Sequence, residues 1–265
     1  MKFVVTAGPT REFIDPVRFL SNPSTGRMGF AVARAARAAG HEVVLIAGPV
    51  ALKTPRGVRR VDVVSARDML AAVLAELGGA RGARALPAGG PRCRAAAEPI
   101  ALVMTAAVAD WRPARCAARK LKKSEMSDTL KLVRNPDILK TVNRYGRAAA
   151  RPSRTGTTGV SPVAFIRIGF AAETGAPAAE AARKCREKGL DLVVGNDVSE
   201  PGSGFGTRTD RVTFVTPDGR VQRLPLMSKL AVARRIVAFV EAAVAGRPPY
   251  QPMAARVVKG SGGNG

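Results

Sequence analysis

Lys2-Phe3-Val4-Val5-Thr6-Ala7-Gly8-Pro9 opens the chain with an apolar run that stops at a glycine, and the stretch from Met28 to Ala39 then repeats small and apolar residues at helical spacing up to Gly40. A short apolar run closed by Gly-Pro predicts a buried strand. Apolar residues recurring every three to four positions predict a helix, and Gly40 suits its C-terminal cap. A strand, a polar turn and a helix make the first half of a βαβ unit, and the rest of the chain repeats that rhythm. Strands are predicted at 42–47, 58–64, 101–107, 164–170 and 190–194. Helices are predicted at 65–77, with Ser65 as N-cap, and at 137–145 and 177–188. Runs 211–215 and 220–224 flank Pro217-Asp218-Gly219, a hairpin turn, and 228–244 is a last amphipathic helix. The alternation predicts an α/β fold with a Rossmann-like, mainly parallel sheet and helices on both faces. The C-terminal β-hairpin predicts an antiparallel or projecting element beside it.

Residues 1–247 read as a single domain. Two stretches, 78–98 and 147–162, are rich in Gly, Pro and Arg without a period, and are expected to be surface insertions. The tail at 248–265 is expected to be disordered. A hydrophobic content of 46% and a charged content of 24% are those of a globular chain. No apolar run approaches the ~20 residues of a membrane span, and the N-terminus reads as a strand, not a signal peptide. A cytoplasmic protein without a membrane partner is expected. Cys93, Cys116 and Cys185 have neither zinc nor disulfide spacing, and His41 reads as a surface residue. The net charge of +23 is compatible with a site for a polyanionic small molecule, with a nucleic-acid surface, or with arginine-rich loops alone.

Ligands of open parallel sheets bind beyond the carboxyl ends of the strands, and those ends carry the candidate chemistry. Gly8-Pro9-Thr10-Arg11 runs through Asp15-Pro16-Val17-Arg18 to Ser21-Asn22-Pro23-Ser24-Thr25-Gly26-Arg27-Met28-Gly29. Ser, Thr and Gly before a helix offer backbone N–H groups to an anion; they equally suit a plain cap with close helix–sheet packing. Thr105 to Pro113 places Asp110 where a metal or polar group can be met, or where it caps a turn. Arg119-Lys120-Leu121-Lys122-Lys123 is a solvated basic run or a flap over a polyphosphate. Asn135-Pro136 reads as a helix start aiming N–H groups outward. Gly169 to Thr174 is another strand end, and Lys184 and Lys188 follow on one helical face. Gly195-Asn196-Asp197-Val198-Ser199 and Gly204-Phe205-Gly206 close the series.

The ordered strings TAGPTRE, DPVR, SN-x-S-x-G-x-MGF, AAVAD, K-x-KK, NPDIL, GFAAET, the paired lysines, KGLDL, NDVS and PLMSK resemble the phosphopantothenate–cysteine ligase family of bacterial coenzyme A biosynthesis. The resemblance implies a ligase that joins 4′-phosphopantothenate to cysteine through an acyl-cytidylate, using CTP with Mg²⁺. It implies a homodimer, to which the hairpin near Asp218 can contribute. The family's ligase domain usually follows a flavin-dependent decarboxylase domain. With the chain starting at the ligase's first strand, a stand-alone ligase is expected, without flavin or decarboxylase activity. By resemblance, Asn22 and Lys120 are catalytic, Asn22 supporting the cysteine step and Lys120 lying on a flap. Arg18, Asn22, Ala106 and Ala107 bind phosphopantothenate. Gly8, Met104, Thr105, Ala106, Asp110, Lys120, Asn135, Pro136, Asp137, Ile138, Phe170, Lys184 and Lys188 bind the nucleotide, and Asp110 also approaches the metal. Pro23-Ser24-Thr25 departs from the family's His-Ser-Ser type run, and Arg27 stands where a Lys is usual.

Two rival classes follow from the residues alone. A nicotinamide-dependent Rossmann oxidoreductase lacks support, since there is no GxGxxG and no acidic residue in Ala47-Gly48-Pro49 after the second strand. A basic nucleic-acid-binding protein would have only one Trp and two Tyr with which to stack bases.

Overall fold

The computed structural model describes residues 1–78, 98–125, 128–149, 165–173, 177–197, 199–204 and 206–248. The expected insertions and tail lie almost wholly outside the described residues. In chain order the elements are β1 (Lys2–Ala7), β2 (Arg11–Phe13), β3 (Phe19–Ser21), α1 (Arg27–Ala38), β4 (Glu42–Ala47), β5 (Arg59–Asp62), α2 (Ala66–Gly78), β6 (Ile100–Met104), β7 (Trp111–Pro113), β8 (Leu132–Arg134), α3 (Ile138–Ala149), β9 (Phe165–Glu173), α4 (Pro177–Glu187), β10 (Leu192–Asp197), β11 (Thr209–Asp210), β12 (Val212–Val215), β13 (Val221–Arg223), β14 (Met227–Ser228) and α5 (Lys229–Val244).

Eight strands form one sheet in the order β13-β12-β10-β9-β6-β1-β4-β5. The six from β10 to β5 are parallel. The chain leaves β1 toward β4 on one side and returns to β6 on the other, so the order reverses between β1 and β6. That reversal opens a crevice at the strands' carboxyl ends. The predicted hairpin exists, but it does not project: β12 pairs antiparallel with β10, and β13 with β12, so it completes one edge of the main sheet.

Each face of the sheet buries its own core. Phe3, Val5, Val43, Leu45 and Val103 pack with α1 and α5, through residues such as Phe30, Val32, Ile236 and Val240. On the opposite face Val4, Ile46 and Leu102 pack with Met69, Val73, Ile138, Val142 and Cys185, from α2, α3 and α4. Burying a large aliphatic side chain is worth ~1.5–3 kcal/mol, and strands that are apolar on both faces are what this double burial requires. Among the described helices, none is long and apolar enough to cross a membrane.

Most predicted boundaries move by one to three residues. One shift has a clear cause: the strand predicted over 101–107 ends at Met104. Beyond it, side-chain bonds replace the ladder. The Thr105 hydroxyl donates to the Thr6 carbonyl at 2.7 Å, and the Thr6 hydroxyl accepts from the Ala106 N–H at 3.2 Å. The freed segment bends over the crevice and is caught again where the Ala107 N–H donates to the Gly8 carbonyl at 2.9 Å. The Gly8 turn needs φ +79°, a backbone conformation natural to glycine.

Candidate active site

A cavity of about 470 Å³ lies at the reversal point, walled by the 22–29 segment, residues 104–110, 135–139, Phe170, Ala172, Lys184, Lys188, Asn196, Gly204, Asp210 and Lys229. Thirteen of the sequence-predicted site residues therefore share one cavity: Asn22, Met104, Thr105, Ala106, Ala107, Asp110, Asn135, Pro136, Asp137, Ile138, Phe170, Lys184 and Lys188.

Two helices start at this cavity, and their ends differ. Gly26 caps α1 in the left-handed region at φ 75°, with no side-chain cap and no acidic residue in the first turn. Arg27, Met28 and Gly29 line the cavity, and the first backbone bond is the Phe30 N–H donating to the Gly26 carbonyl at 3.1 Å. The first-turn N–H groups stand where an anion can take them, at the positive end of the helix dipole. The start of α3 carries its own side-chain cap. Asp137 accepts from the Lys140 N–H at 3.0 Å and pairs with the Lys188 ammonium, also at 3.0 Å. Burial pulls the Asp137 pKa up, but the Lys140 N–H and Lys188 outweigh it and hold the carboxyl below its usual range. At the expected Asn135-Pro136 helix start, the Asp137 carboxylate thus takes one of the first-turn N–H groups, that of Lys140. Asn135 instead staples the neighbouring loop: its N–H donates to the Asp110 carbonyl and its Nδ2 to the Ala109 carbonyl, both at 2.8 Å.

Asn22 is exposed at the cavity. Its Nδ2 donates to the carbonyls of Ala107 and Val108, each at 3.3 Å. An amide turned the other way would face two carbonyls with its own oxygen, so Oδ1 is the atom left to accept from a ligand. The N–H groups of Ala106 and Ala107 are engaged within the protein, as above, and Ala109 N–H donates to the Thr10 hydroxyl at 3.0 Å. The 105–109 loop is accordingly a tied-down floor.

Three predicted residues are not on the cavity wall. Gly8 lies beneath it, where an added Cβ would meet Val50 Cγ1 at 2.8 Å. Arg18 and the exposed Lys120 belong to a second neighbourhood. Arg18 Nη1 pairs with the Asp15 carboxylate at 3.2 Å, and Arg18 Nη2 donates to the Leu121 carbonyl at 3.4 Å. Burial raises the pKa of the fully buried Asp15, but the N–H groups of Val17, Arg18 and Leu121 and the Arg18 charge together hold it below the usual carboxylate range. Asp15 thereby ties the 14–18 turn to the segment that carries Lys120.

The wall also holds residues to which the sequence assigned no individual role: Ser24, Arg27, Asn196 and Gly204, which stand in its candidate stretches, Lys229, which stands in PLMSK, and Asp210. Lys229 is the first residue of α5, and its side chain is 9% exposed. Its ammonium donates to the Gly204 carbonyl at 2.7 Å and lies 3.5 Å from Asp210 Oδ2. Asp210 Oδ1 accepts from the Ser203 hydroxyl at 2.6 Å and the Gly204 N–H at 3.3 Å, with Asn196 Nδ2 at 3.5 Å. Burial lowers the Lys229 pKa, Asp210 opposes that shift, and Arg27 adds to it. The signals for these residues were present in Asn196-Asp197-Val198-Ser199 and in the lysine after the Ser228 N-cap, but Asp210 stands in no motif. His41 is remote from the cavity wall; it stacks on Phe3 at 5.0 Å and meets Glu241 at 3.0 Å.

A doubly wound α/β protein with an open helix N-terminus and lysines around a crevice at its switch point offers the features at which open parallel sheets take up anionic ligands. Comparison with known proteins narrows the class to a family. The chain matches the model of the DNA/pantothenate metabolism flavoprotein C-terminal domain over residues 1–83 and 93–244, and it belongs to that family. It is 40% identical over 240 residues to the coenzyme A biosynthesis bifunctional protein CoaBC of Vibrio vulnificus, covering 90% of this chain and 51% of that protein. The CoaBC of Bacillus subtilis is also 40% identical over 240 residues, with 90% and 50% covered. The chain thus spans about half the length of the curated relatives it matches. The crystal structure of the C-terminal domain of CoaBC superposes with a TM-score of 0.65 at 34% identity, over 92% of this chain and 96% of that one. A Cab2 mutant in complex with phosphopantothenate-cysteine shares the fold, with a TM-score of 0.61 at 16% identity.

Proposed function

We propose that this chain is a phosphopantothenate–cysteine ligase that activates its acid with CTP. The observation that carries the proposal is the cavity itself, where an uncapped α1 N-terminus, the oriented Asn22 amide, Lys184 of α4 and Lys188 just after that helix line one space. In the proposed reaction a carboxylate oxygen of 4′-phosphopantothenate attacks the α-phosphorus of CTP. The bond to the bridging oxygen breaks, pyrophosphate leaves, and an acyl-cytidylate remains. The cysteine amine then attacks the acyl carbon, CMP leaves with the bond's electrons, and the amine loses a proton as the amide forms. The first step brings two anions together, which the cations and N–H donors of this cavity suit.

In this scheme Arg27 and the first-turn N–H groups of α1 hold polyphosphate oxygens, and Lys184 and Lys188 hold the nucleotide from the opposite wall. Asn22 Oδ1 accepts from the cysteine amine and orients its lone pair. Arg18 and Lys120 act from the adjoining segment when it closes over the ligands. Asp110 is exposed at the cavity. Among the described residues no three His, Cys, Asp or Glu side chains converge on a metal. One carboxylate beside a polyphosphate fits Mg²⁺, which takes one or two carboxylates and completes its shell with phosphate oxygens and water; bound there, it would neutralise phosphate charge. We further propose that the protein works on small molecules as a homodimer, in the cytoplasm.

Incubation with phosphopantothenate, cysteine and CTP should release CMP and pyrophosphate in equal amounts. Failure to consume CTP, with or without cysteine, would refute the assignment. Lys120→Gln should cut turnover about tenfold through one lost charged contact. Its melting temperature should stay at the wild-type value, because an exposed side chain contributes little to folding. A large fall in melting temperature would make Lys120 structural instead.

A further inference from the structure

Resting on the ligase function proposed above, we infer that Lys229, held in place by Asp210, binds the polyphosphate beside the α1 N-terminus and sets the preference for a nucleoside triphosphate over a monophosphate. The placement comes from the fold. Two-residue strands β11 and β14 pair antiparallel, with Thr209 opposite Ser228 and Asp210 opposite Met227. This pairing brings the first residue of α5 against the 203–210 segment. Ser228 caps α5 through the Ala231 N–H at 3.2 Å, which fixes the helix start and with it the root of Lys229.

The charge balance points to a ligand. Both oxygens of Asp210 are engaged inside the protein: Oδ1 by the Ser203 hydroxyl and the Gly204 N–H, Oδ2 by Lys229. The Lys229 ammonium has three N–H donors. Among the described residues the Gly204 carbonyl and Asp210 take two, leaving one for the cavity that Lys229 lines. Arg27 lines the same cavity at the uncapped start of α1, and its charge already disfavours the Lys229 ammonium. Asp210 offsets one charge, so Arg27, Lys229 and the helix N-terminus still leave this space net positive, which an anionic ligand neutralises. A purely structural contact would be met as well by apolar groups of the same volume. A triphosphate brings the required charge; a monophosphate held at the α-position does not reach as far.

The test is calorimetric titration of the full chain with CTP, ATP and CMP, using wild type, Lys229→Met, Lys229→Arg and Asp210→Asn. Lys229→Met is expected to weaken CTP binding by roughly ten- to a hundredfold, the size of one charge-assisted bond, while CMP affinity stays at the wild-type value. Lys229→Arg should recover part of the CTP affinity, and Asp210→Asn should weaken CTP less than Lys229→Met does. Equal losses for CTP and CMP, or unchanged CTP affinity, would overturn the inference and leave a structural ion pair. If Lys229→Met does not fold, Lys229→Gln is put through the same comparison and judged by the same outcomes. Wild type that binds neither CTP nor ATP would instead bring down the ligase function itself.

Discussion

Asn22→Ala should lose amide formation while keeping nucleotide activation. In single turnovers with CTP and phosphopantothenate, pyrophosphate should appear close to the wild-type rate. Transfer to cysteine should fall about a hundredfold, the scale of loss when a reacting group is no longer oriented. The reason is the amide's fixed orientation. Nδ2 is committed to the Ala107 and Val108 carbonyls at 3.3 Å, so only Oδ1 is offered to a ligand. That acceptor suits an incoming amine and has nothing to give an anionic carboxylate or phosphate. The variant should therefore accumulate acyl-cytidylate, measurable by quenching and chromatography. Equal loss in both half-reactions would contradict the role given to Asn22. Stability should change little, because the side chain is exposed.

Gly29→Ala should have a large effect on the fold. A Cβ there would lie 2.5 Å from Ala7 Cβ, 2.6 Å from Thr105 Oγ1 and 2.8 Å from the Thr6 carbonyl oxygen. All three belong to the end of β1 or to the loop it ties down, and the Thr6 oxygen is backbone and cannot swing away. The helix must then lift from the sheet, a small-to-large change of the kind that costs about 1–3 kcal/mol. For a chain of this size each kcal/mol lowers the melting temperature by about 2–4 °C. Displacing α1 also moves its N-terminal N–H groups, so CTP affinity should fall together with stability. Gly40→Ala is the control: its added Cβ meets nothing within 4 Å, and φ +87° leaves only backbone strain. A Gly29→Ala variant that melts and binds like wild type would contradict the close approach of α1 to β1.

The α/β framework was legible because its signals are local. The run Lys2 to Ala7, the helix that follows and Gly40 each carry their own periodicity or stop signal, and each forms the predicted element. The wall of the cavity was legible for a related reason: residues 104–110 lie at the carboxyl end of a predicted strand and 135–138 open a helix, and topology delivers such positions to one edge. What escaped depends on pairings distant in sequence. Asp210 and Lys229 meet only because two-residue strands bring them together, and segments so short have no period to read. The free character of a helix start is not visible in the chain either. Asn135-Pro136 and Ser24-Thr25-Gly26 both look like starts, but Asp137 caps one through the Lys140 N–H while Gly26 gives the other no side-chain cap. The hairpin at 212–223 was predicted from its turn residues, yet its joining the main sheet through β10 depends on a register that only the tertiary structure supplies.

We propose that the acid is activated as an acyl-cytidylate within this cavity. The most direct test is a turnover with phosphopantothenate carrying ¹⁸O in both carboxylate oxygens, in the presence of CTP and cysteine, with mass analysis of the nucleotide product. The expected product is CMP containing one ¹⁸O atom, with the other retained in the amide carbonyl. Unlabelled CMP, or label appearing in inorganic phosphate alongside CDP, would contradict it.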